Sequence, residues 1–282
     1  MTATEPPARR GPRTAAGNVP APAPPRLIVA GATGRLGSVL IEEARRAGVP
    51  VAGGVARSGS TLPGPRGDSP IPVVPPSGLP GLLGKGDVYV SAWTKEAEIA
   101  ALPVVAAAGR PAVVATTGLG PEGERSLARA ARRIPIVREA NFAVGAHLLA
   151  RLARAIGPMP DGFDASLVEL HRRGKRDHPS ATACGVAAAL AASGIRRWET
   201  ARGRRTPGAL EIASLRAGET PGTHLLLLAG PHESLRLEHQ TFDRAAFAAG
   251  VLAAARWLAP STPRAPGLYG LADVLAPPRI ER

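Results

Sequence analysis

The chain has 282 residues, long enough to bury a sizeable core and to form two domains or one large one. Its 35 Lys and Arg against 22 Asp and Glu give a formal charge of +13, which suits anionic ligands such as nucleotides and carboxylates, while the 3% of aromatics, not interleaved with basic runs, argues against nucleic acid. A single cysteine, Cys184, excludes an internal disulfide and fits a reducing cytoplasm, and since no apolar run approaches about 18 residues, no membrane span is expected.

Residues 1–25 are rich in Pro, Ala and Arg, close on Pro20, Pro22, Pro24 and Pro25, and lack the apolar stretch of a secretion signal. So little apolar surface does not offset the entropy of ordering, and a disordered tail is expected. Order begins with Arg-Leu-Ile-Val-Ala at 26–30, a short run of the kind found in strands buried on both faces. It leads directly into Gly-Ala-Thr-Gly-Arg-Leu-Gly at 31–37 and a helical segment at 38–47. Strand, glycine turn and helix in that order are the arrangement expected of a dinucleotide site, and the context favours that reading over a merely structural turn. Gly31 allows the tight turn, Gly34 lets backbone approach a pyrophosphate and Gly37 permits close helix packing, with Thr33, Arg35 and Leu36 beside them. Residues 49–55 read as the second strand. An NAD-preferring protein usually ends that strand on an acid. Here Ala56, Arg57 and Ser58 follow, so an arginine is available for a phosphate, and NADPH is expected to be preferred, with NADH possible.

Residues 59–86, rich in Pro and Gly, read as an irregular connection. Strands are expected at 87–94, 110–118 and 134–137, with helices at 95–108 and 122–133 between them. This alternation predicts an α/β fold with a Rossmann-type doubly wound parallel sheet. Ligands of such sheets sit beyond the carboxyl ends of the strands, which gathers 31–37, Trp93, Thr94, Thr116, Thr117, Asn141 and Phe142 round one crevice. Trp93 either packs on a cofactor ring or belongs to the core, and the residues alone favour the core.

After a helix at 145–156 the character changes. Strands at 163–170 and 208–215 and a hairpin over 223–241, turning at Gly230-Pro231, predict a second α+β domain with a mixed, mainly antiparallel sheet. With one long helix to cover it, its other face is expected to be buried by a neighbouring subunit. An Ala-rich helix at 244–258 and a short element at 267–275 end the chain. The expected organisation is 26–142 with 244–282 for the dinucleotide and 143–243 for substrate binding and oligomerisation.

Residues 168–183 carry the most chemistry. His171 titrates near neutral pH, Lys175 is a fixed cation, Pro179 stops the strand, and Ser180 is a good N-cap for the helix-forming run that follows. The free amides of that first turn would hold a carboxylate, with an acid beside it. From these residues alone, a surface turn with a solvated basic cluster fits equally well. Cys184 reads as a buried structural thiol. His147, His232 and His239 lack metal-ligand spacing, His178 reads as a loop neighbour of the site, and no metal is expected.

Taken together, the motifs resemble those of the dihydrodipicolinate reductase family. Residues 31–37 are similar to its cofactor loop, Ala115-Thr-Thr-Gly118 to its Gly-Thr-Thr-Gly turn, and Ala140-Asn-Phe-Ala-Val-Gly145 to its Ala-Asn-Phe-Ser-x-Gly segment. Residues 169–183 resemble its signature Glu-x-His-His-x-x-Lys-x-Asp-x-Pro-Ser-Gly-Thr-Ala, and Leu215-Arg-Ala-Gly218, His224, Arg244 to Gly250 and Gly267-Leu-Tyr269 follow in family order. The resemblance implies NAD(P)H-dependent reduction of a cyclic imine dicarboxylate in lysine and diaminopimelate biosynthesis, by a cytoplasmic homotetramer. It implies that His171 and Lys175 are catalytic and that Ser180, Ala181 and Thr182 hold a substrate carboxylate, with Thr117 opposite. Trp93-Thr94 would take the place of a Phe-Thr pair against the nicotinamide, near Ala115, Asn141 and Phe142. Three departures stand out: Arg172 for the second histidine, Ala181 for the glycine, and Glu211 where a glycine is usual. They point also to a paralogue acting on a related imine or unsaturated carboxylate. A cofactor-binding scaffold that no longer catalyses is a further reading, disfavoured by the presence of both His171 and Lys175.

Overall fold

The computed structural model describes residues 23–64, 70–201 and 205–276, so the expected tail lies outside the described residues as far as residue 22. Strand β1 (Leu27–Ala30) is buried throughout. Leu27 and Val29 face one helical layer, Ile28 and Ala30 the other, so the run is apolar at every position. Helix α1 (Gly37–Arg46) and β2 (Val51–Val55) follow as expected.

Residues 59–86 depart from the expected irregular connection. They form β3 (Ser60–Leu62), β4 (Ile71–Val74), a 3-10 turn at Pro76–Gly78 and helix α2 (Leu79–Leu83). Prolines conceal the strand in the sequence. Buried Ile71 and Val73 flank exposed Pro72, and the parallel ladder with β2 begins only at Val73, beyond the residue that lacks an N–H.

Alternation then resumes with β5 (Val88–Ser91), α3 (Lys95–Ala107), β6 (Ala112–Val114), α4 (Gly120–Ala131), β7 (Pro135–Arg138) and α5 (Val144–Ala155). The second region has β8 (Asp164–His171), α6 (Ala181–Ala189), β9 (Arg197–Thr200), β10 (Ala209–Arg216), β11 (Gly222–Ala229) and β12 (Ser234–Thr241). Helix α7 (Ala245–Trp257), β13 (Gly267–Tyr269) and α8 (Leu271–Val274) return to the first sheet. Its order is β13-β7-β6-β5-β1-β2-β4-β3, parallel except for β3. Helices α1 and α7 bury one face, with Leu40, Ile41, Val251 and Leu252, and α2, α3 and α4 bury the other. This is the doubly wound architecture.

The second sheet is mixed, ordered β12-β11-β8-β10-β9. Strand β11 is antiparallel to both neighbours, while β8, β10 and β9 run parallel. Strand β9 has no counterpart among the expected elements. Two helices, not one, cover the inner face: α5 contributes Leu149 and Ala153, four residues apart, and α6 contributes Ala183, Val186 and Ala187. On the outer face Leu225 and Leu227 are half-buried and Leu215 is 52% exposed.

Candidate functional site

The first wall of the site is the glycine turn. Gly31 takes φ +79°, and a Cβ there would stand 2.5 Å from the Ala92 carbonyl oxygen; one on Gly37 would stand 2.1 Å from that of Gly31. The first and last glycines are therefore required by packing alone. No side chain caps the start of α1 and no acid stands in its first turn, so the positive end of its dipole is left uncovered, although the Ser38 N–H already donates to the Gly34 carbonyl at 3.0 Å.

Beside this turn opens a cleft of ≈ 680 Å³, lined by Arg35, Leu36, Trp93, Ala115, Thr116 and Thr117 from the first sheet and by Arg172, Glu219, Phe242 and Arg244 from the second region. Trp93, which the bare sequence favoured as core, is half-buried on this wall. Its indole Nε1 donates to Glu98 Oε2 at 2.9 Å, and Thr116 Oγ1 donates to the same oxygen at 2.8 Å. Glu98 is fully buried. Burial raises its carboxyl above the ordinary carboxylate range, against the hydrogen bonds of Ser91, Thr116 and Trp93.

A second cavity of ≈ 740 Å³ adjoins the first. Thr117, Arg172, Pro221 and Phe247 line both, so the two are separated by side chains of a shared wall. Round the second stand His171, Lys175, Asp177, Ser180, Ala181, Thr182, Asn141 and Arg138. Arg138, Arg172, Lys175 and Arg176 face a single acid there, Asp177, to which the Lys175 ammonium donates at 2.7 and 2.8 Å.

Beneath this cavity lies Glu169, also fully buried. The Ser180 backbone N–H donates to both its oxygens at 3.1 Å, Ser214 Oγ at 2.7 Å and Arg216 Nη2 at 3.3 Å. Burial alone would raise this carboxyl, but the bonds from Ser180 and Ser214 and the nearby His171 hold it below the ordinary range. Arg216 also donates to the carbonyls of Asp177 at 2.6 Å and Lys175 at 3.3 Å, fastening the lysine-bearing loop to β10. His171 Nδ1 lies 3.7 Å from Glu169, and its ring meets His224 edge-on at 5.0 Å. Burial lowers the His171 pKa, opposed by Glu169 and reinforced by Lys175 and Arg216. His224 is pushed down to about 4, first by burial and then by His171. Both imidazoles are therefore neutral at pH 7. Glu169, His171 and His224 bring ligand-type atoms within 4.8 Å of one another, which no spacing in the sequence suggested. Both Glu169 oxygens and His224 Nε2, 3.1 Å from Ser180 Oγ, already have protein partners. His239, read as structural or surface, is half-buried and stacks on His224 at 6.1 Å.

The expected site residues separate into groups. Every expected substrate residue, Thr117, Arg172, Lys175, Ser180, Ala181 and Thr182, lines the second cavity together with His171. Of the expected cofactor residues, Arg35, Leu36, Trp93, Ala115 and Thr117 line the first. Thr33 is exposed on the glycine turn, and Arg57 and Ser58 are exposed just past β2, outside the cleft lining. Thr94 caps α3, accepting from the Ala97 amide, and does not line the cleft. Asn141 lines the substrate-side cavity and donates to Thr182 Oγ1 at 2.8 Å. The Phe142 side chain is buried in the core with residues of α7 and does not line the cleft. Ser180 is a partial correction, since its N–H is spent on Glu169 and its Oγ on the Ala183 amide, leaving the Ala181 and Thr182 amides facing the cavity without a protein partner among the described residues. Cys184 is only partly buried.

The three departures also resolve. Ala181 needs no special backbone, since no described non-glycine residue has positive φ. Glu211 pairs opposite Ser166, five residues along β10 from the Arg216–His171 pair, and its nearest cation is Arg205 at 4.0 Å and not Arg172. It does not reach the site. Arg172 does, and it faces both cavities. Residues missing from the expected set are Glu169, Glu98, Arg138, Glu219, Phe242 and Phe247. Glu169 opens the quoted signature, so its signal was present; the others come together only through the fold.

A glycine-turn cleft on a doubly wound sheet, opening into a cation-lined cavity of a second domain, defines an NAD(P)H-dependent oxidoreductase. Comparison with known proteins narrows the class. The chain belongs to the dihydrodipicolinate reductase family, whose N-terminal model matches residues 25–142 and whose C-terminal model matches 145–275. It is 38% identical over 263 residues to the 4-hydroxy-tetrahydrodipicolinate reductase of Granulibacter bethesdensis, covering 89% of this chain and 96% of that one. Against the enzyme of the same name from Myxococcus xanthus it is 38% identical over 269 residues, covering 89% and 97%. In fold it is similar to dipicolinate-bound dihydrodipicolinate reductase from Paenisporosarcina sp. TG-14, with a TM-score of 0.71 at 20% identity over 89% of this chain and 100% of that one.

Proposed function

We propose that this chain reduces the cyclic imine dicarboxylate that its relatives' name denotes, with NADPH preferred over NADH. The observation that carries the reading is the shared wall: Thr117, Arg172, Pro221 and Phe247 border both the cofactor cleft and the cavity of His171 and Lys175. Bound NADPH supplies the hydride. The cations of Arg172 and Lys175 and the free amides of Ala181 and Thr182 are placed to hold carboxylates, and Thr117 closes the opposite side. Lys175, an ammonium paired with Asp177, is the proton donor. His171, neutral at pH 7, orients the substrate by hydrogen bonding. Glu169 and Arg216 hold the loop and helix start on which these groups ride.

The absence of an acid after β2, with Arg57 exposed there, supports the NADPH preference. The return of α7 to the first core supports a division at 26–142 with 244–282 and at 143–243, and the half-exposed apolar face of the second sheet supports a homotetramer built on it. No described helix is long and apolar enough to cross a membrane. Arg172, the one departure that reaches the site, favours a second reading in which the preferred substrate is a related cyclic imine or unsaturated carboxylate. A screen of NADPH oxidation against the lysine-pathway imine and such analogues tests both. Turnover of the imine is expected. Activity only with another compound selects the second reading, and cofactor binding without any oxidation selects the scaffold.

A further inference from the structure

We propose that Glu98 is a positioning residue for the cofactor: its buried carboxyl ties the Trp93 indole and the Thr116 hydroxyl into one unit and so sets the wall against which the nicotinamide packs. The inference rests on the reading of the cleft as the NAD(P)H site.

The argument starts from the indole. Where a phenyl ring has no polar atom to satisfy, an inward-turned indole carries an N–H that must find an acceptor. Glu98, five residues on in the first turn of α3, provides it at 2.9 Å. The same oxygen accepts from Thr116 Oγ1 at 2.8 Å, and Thr116 Oγ1 lies 3.4 Å from the Trp93 backbone N–H, which closes a ring of hydrogen bonds. Both tied residues line the cleft. Glu98 forms no ion pair among the described residues. A carboxyl buried with no cation beside it is costly, and here its bonds go to the two residues of the cofactor wall and to Ser91 beneath them.

Packing does not surround the ring, although part of it lies against the core. Behind Trp93, on the side away from the cleft, is an apolar hollow of ≈ 310 Å³ lined by Pro76, Leu79, Pro80, Ala97, Ala101 and Val104. The indole borders both the hollow and the cleft. The bond to Glu98 holds it in place.

The test is a double-mutant cycle read by the dissociation constant for NADPH, from the fluorescence change on binding, with thermal melts alongside. Glu98→Leu should weaken NADPH binding about tenfold, Glu98→Gln, which keeps an acceptor, about twofold, and Trp93→Phe, which keeps an aromatic wall, about twofold. In the Trp93→Phe background Glu98→Leu should add less, about threefold, because the indole N–H is gone and only the tie to Thr116 remains to be lost. A Glu98→Leu chain that does not fold while the double variant does also supports the pairing. An equal loss from Glu98→Leu in both backgrounds, no loss in either, or failure of both variants to fold would overturn it. If the wild-type chain binds neither NADPH nor NADH, the reading of the cleft falls and takes this one with it.

Discussion

Two glutamates, one in each sheet region, are both sealed from solvent, yet their carboxyls are shifted in opposite directions. Glu98 beneath the cofactor cleft has only neutral donors, Trp93 and Thr116 among them, and burial raises its carboxyl. Glu169 beneath the second cavity receives Ser180, Ser214 and Arg216 and is held low. Neither touches solvent, but Glu98 lies deeper and has fewer donors, so depth of burial and donors together set the difference. The difference suits the ligand proposed for each wall. A nicotinamide ring asks for a flat, uncharged surface, whereas a dicarboxylate asks for cations, and the cations in turn need a buried anion to anchor their loop.

The sharpest way to probe the charged side is to remove Lys175, the proposed proton donor. Lys175→Ala should lower kcat by about a hundredfold to ten-thousandfold, while the KM for NADPH stays within about twofold, since Lys175 lines only the second cavity. A comparable rise in cofactor KM would show that the two walls are not separable as described.

The anchor itself comes next. Glu169→Ala strands the Ser180 amide, the Ser214 hydroxyl and part of Arg216, and should lower stability by about 3 kcal/mol in denaturant titrations. The figure sits low in the range for breaking a buried pair because Arg216, 18% exposed, keeps the carbonyls of Lys175 and Asp177. A loss under about 1 kcal/mol would mean that the carboxylate is not the hub of this region.

How far the sequence displayed these two walls depended on the kind of signal. Strand β1 was legible because a strand buried on both faces is apolar at every position, and the glycine turn because Gly31 and Gly37 leave no room for a Cβ. The lysine loop was legible because its chemistry is contiguous: His171 to Thr182 fall within twelve consecutive residues. Strand β4 was hidden by Pro72, and β9 by its brevity among polar residues. The cofactor wall was hidden for another reason. Trp93, Glu98 and Thr116 come from the end of β5, the first turn of α3 and the turn after β6, and only the parallel pairing of β5 with β6 brings them together. An Asn-Phe motif shows that Asn141 and Phe142 are adjacent, not that both side chains face the same way. One turned into the cavity and the other into the core.

A smaller effect is expected at the far end of the neutral side. Arg57→Ala should raise the KM for NADPH about tenfold and leave that for NADH within about twofold, if the exposed arginine after β2 meets a phosphate that NADH lacks. Equal changes for both cofactors would place the discrimination elsewhere on the wall.

The smallest effect tests the comparison directly, through pH. Glu98, raised by burial, contributes stability that is fully present below the ordinary carboxylate range and is lost as pH rises through its folded-state value. Glu169, held low, contributes stability that is present above the ordinary range and is lost as pH falls. Glu98→Gln cannot titrate, so its stability relative to wild type should improve from pH 4 to pH 8, by about 1 kcal/mol or less. For Glu169→Ala the relative stability should worsen over the same interval. Melting curves of the three proteins at matched ionic strength give both slopes. Two slopes of the same sign would mean that the surroundings of the two carboxyls do not shift them in opposite directions, and the contrast drawn between them would lose its physical basis.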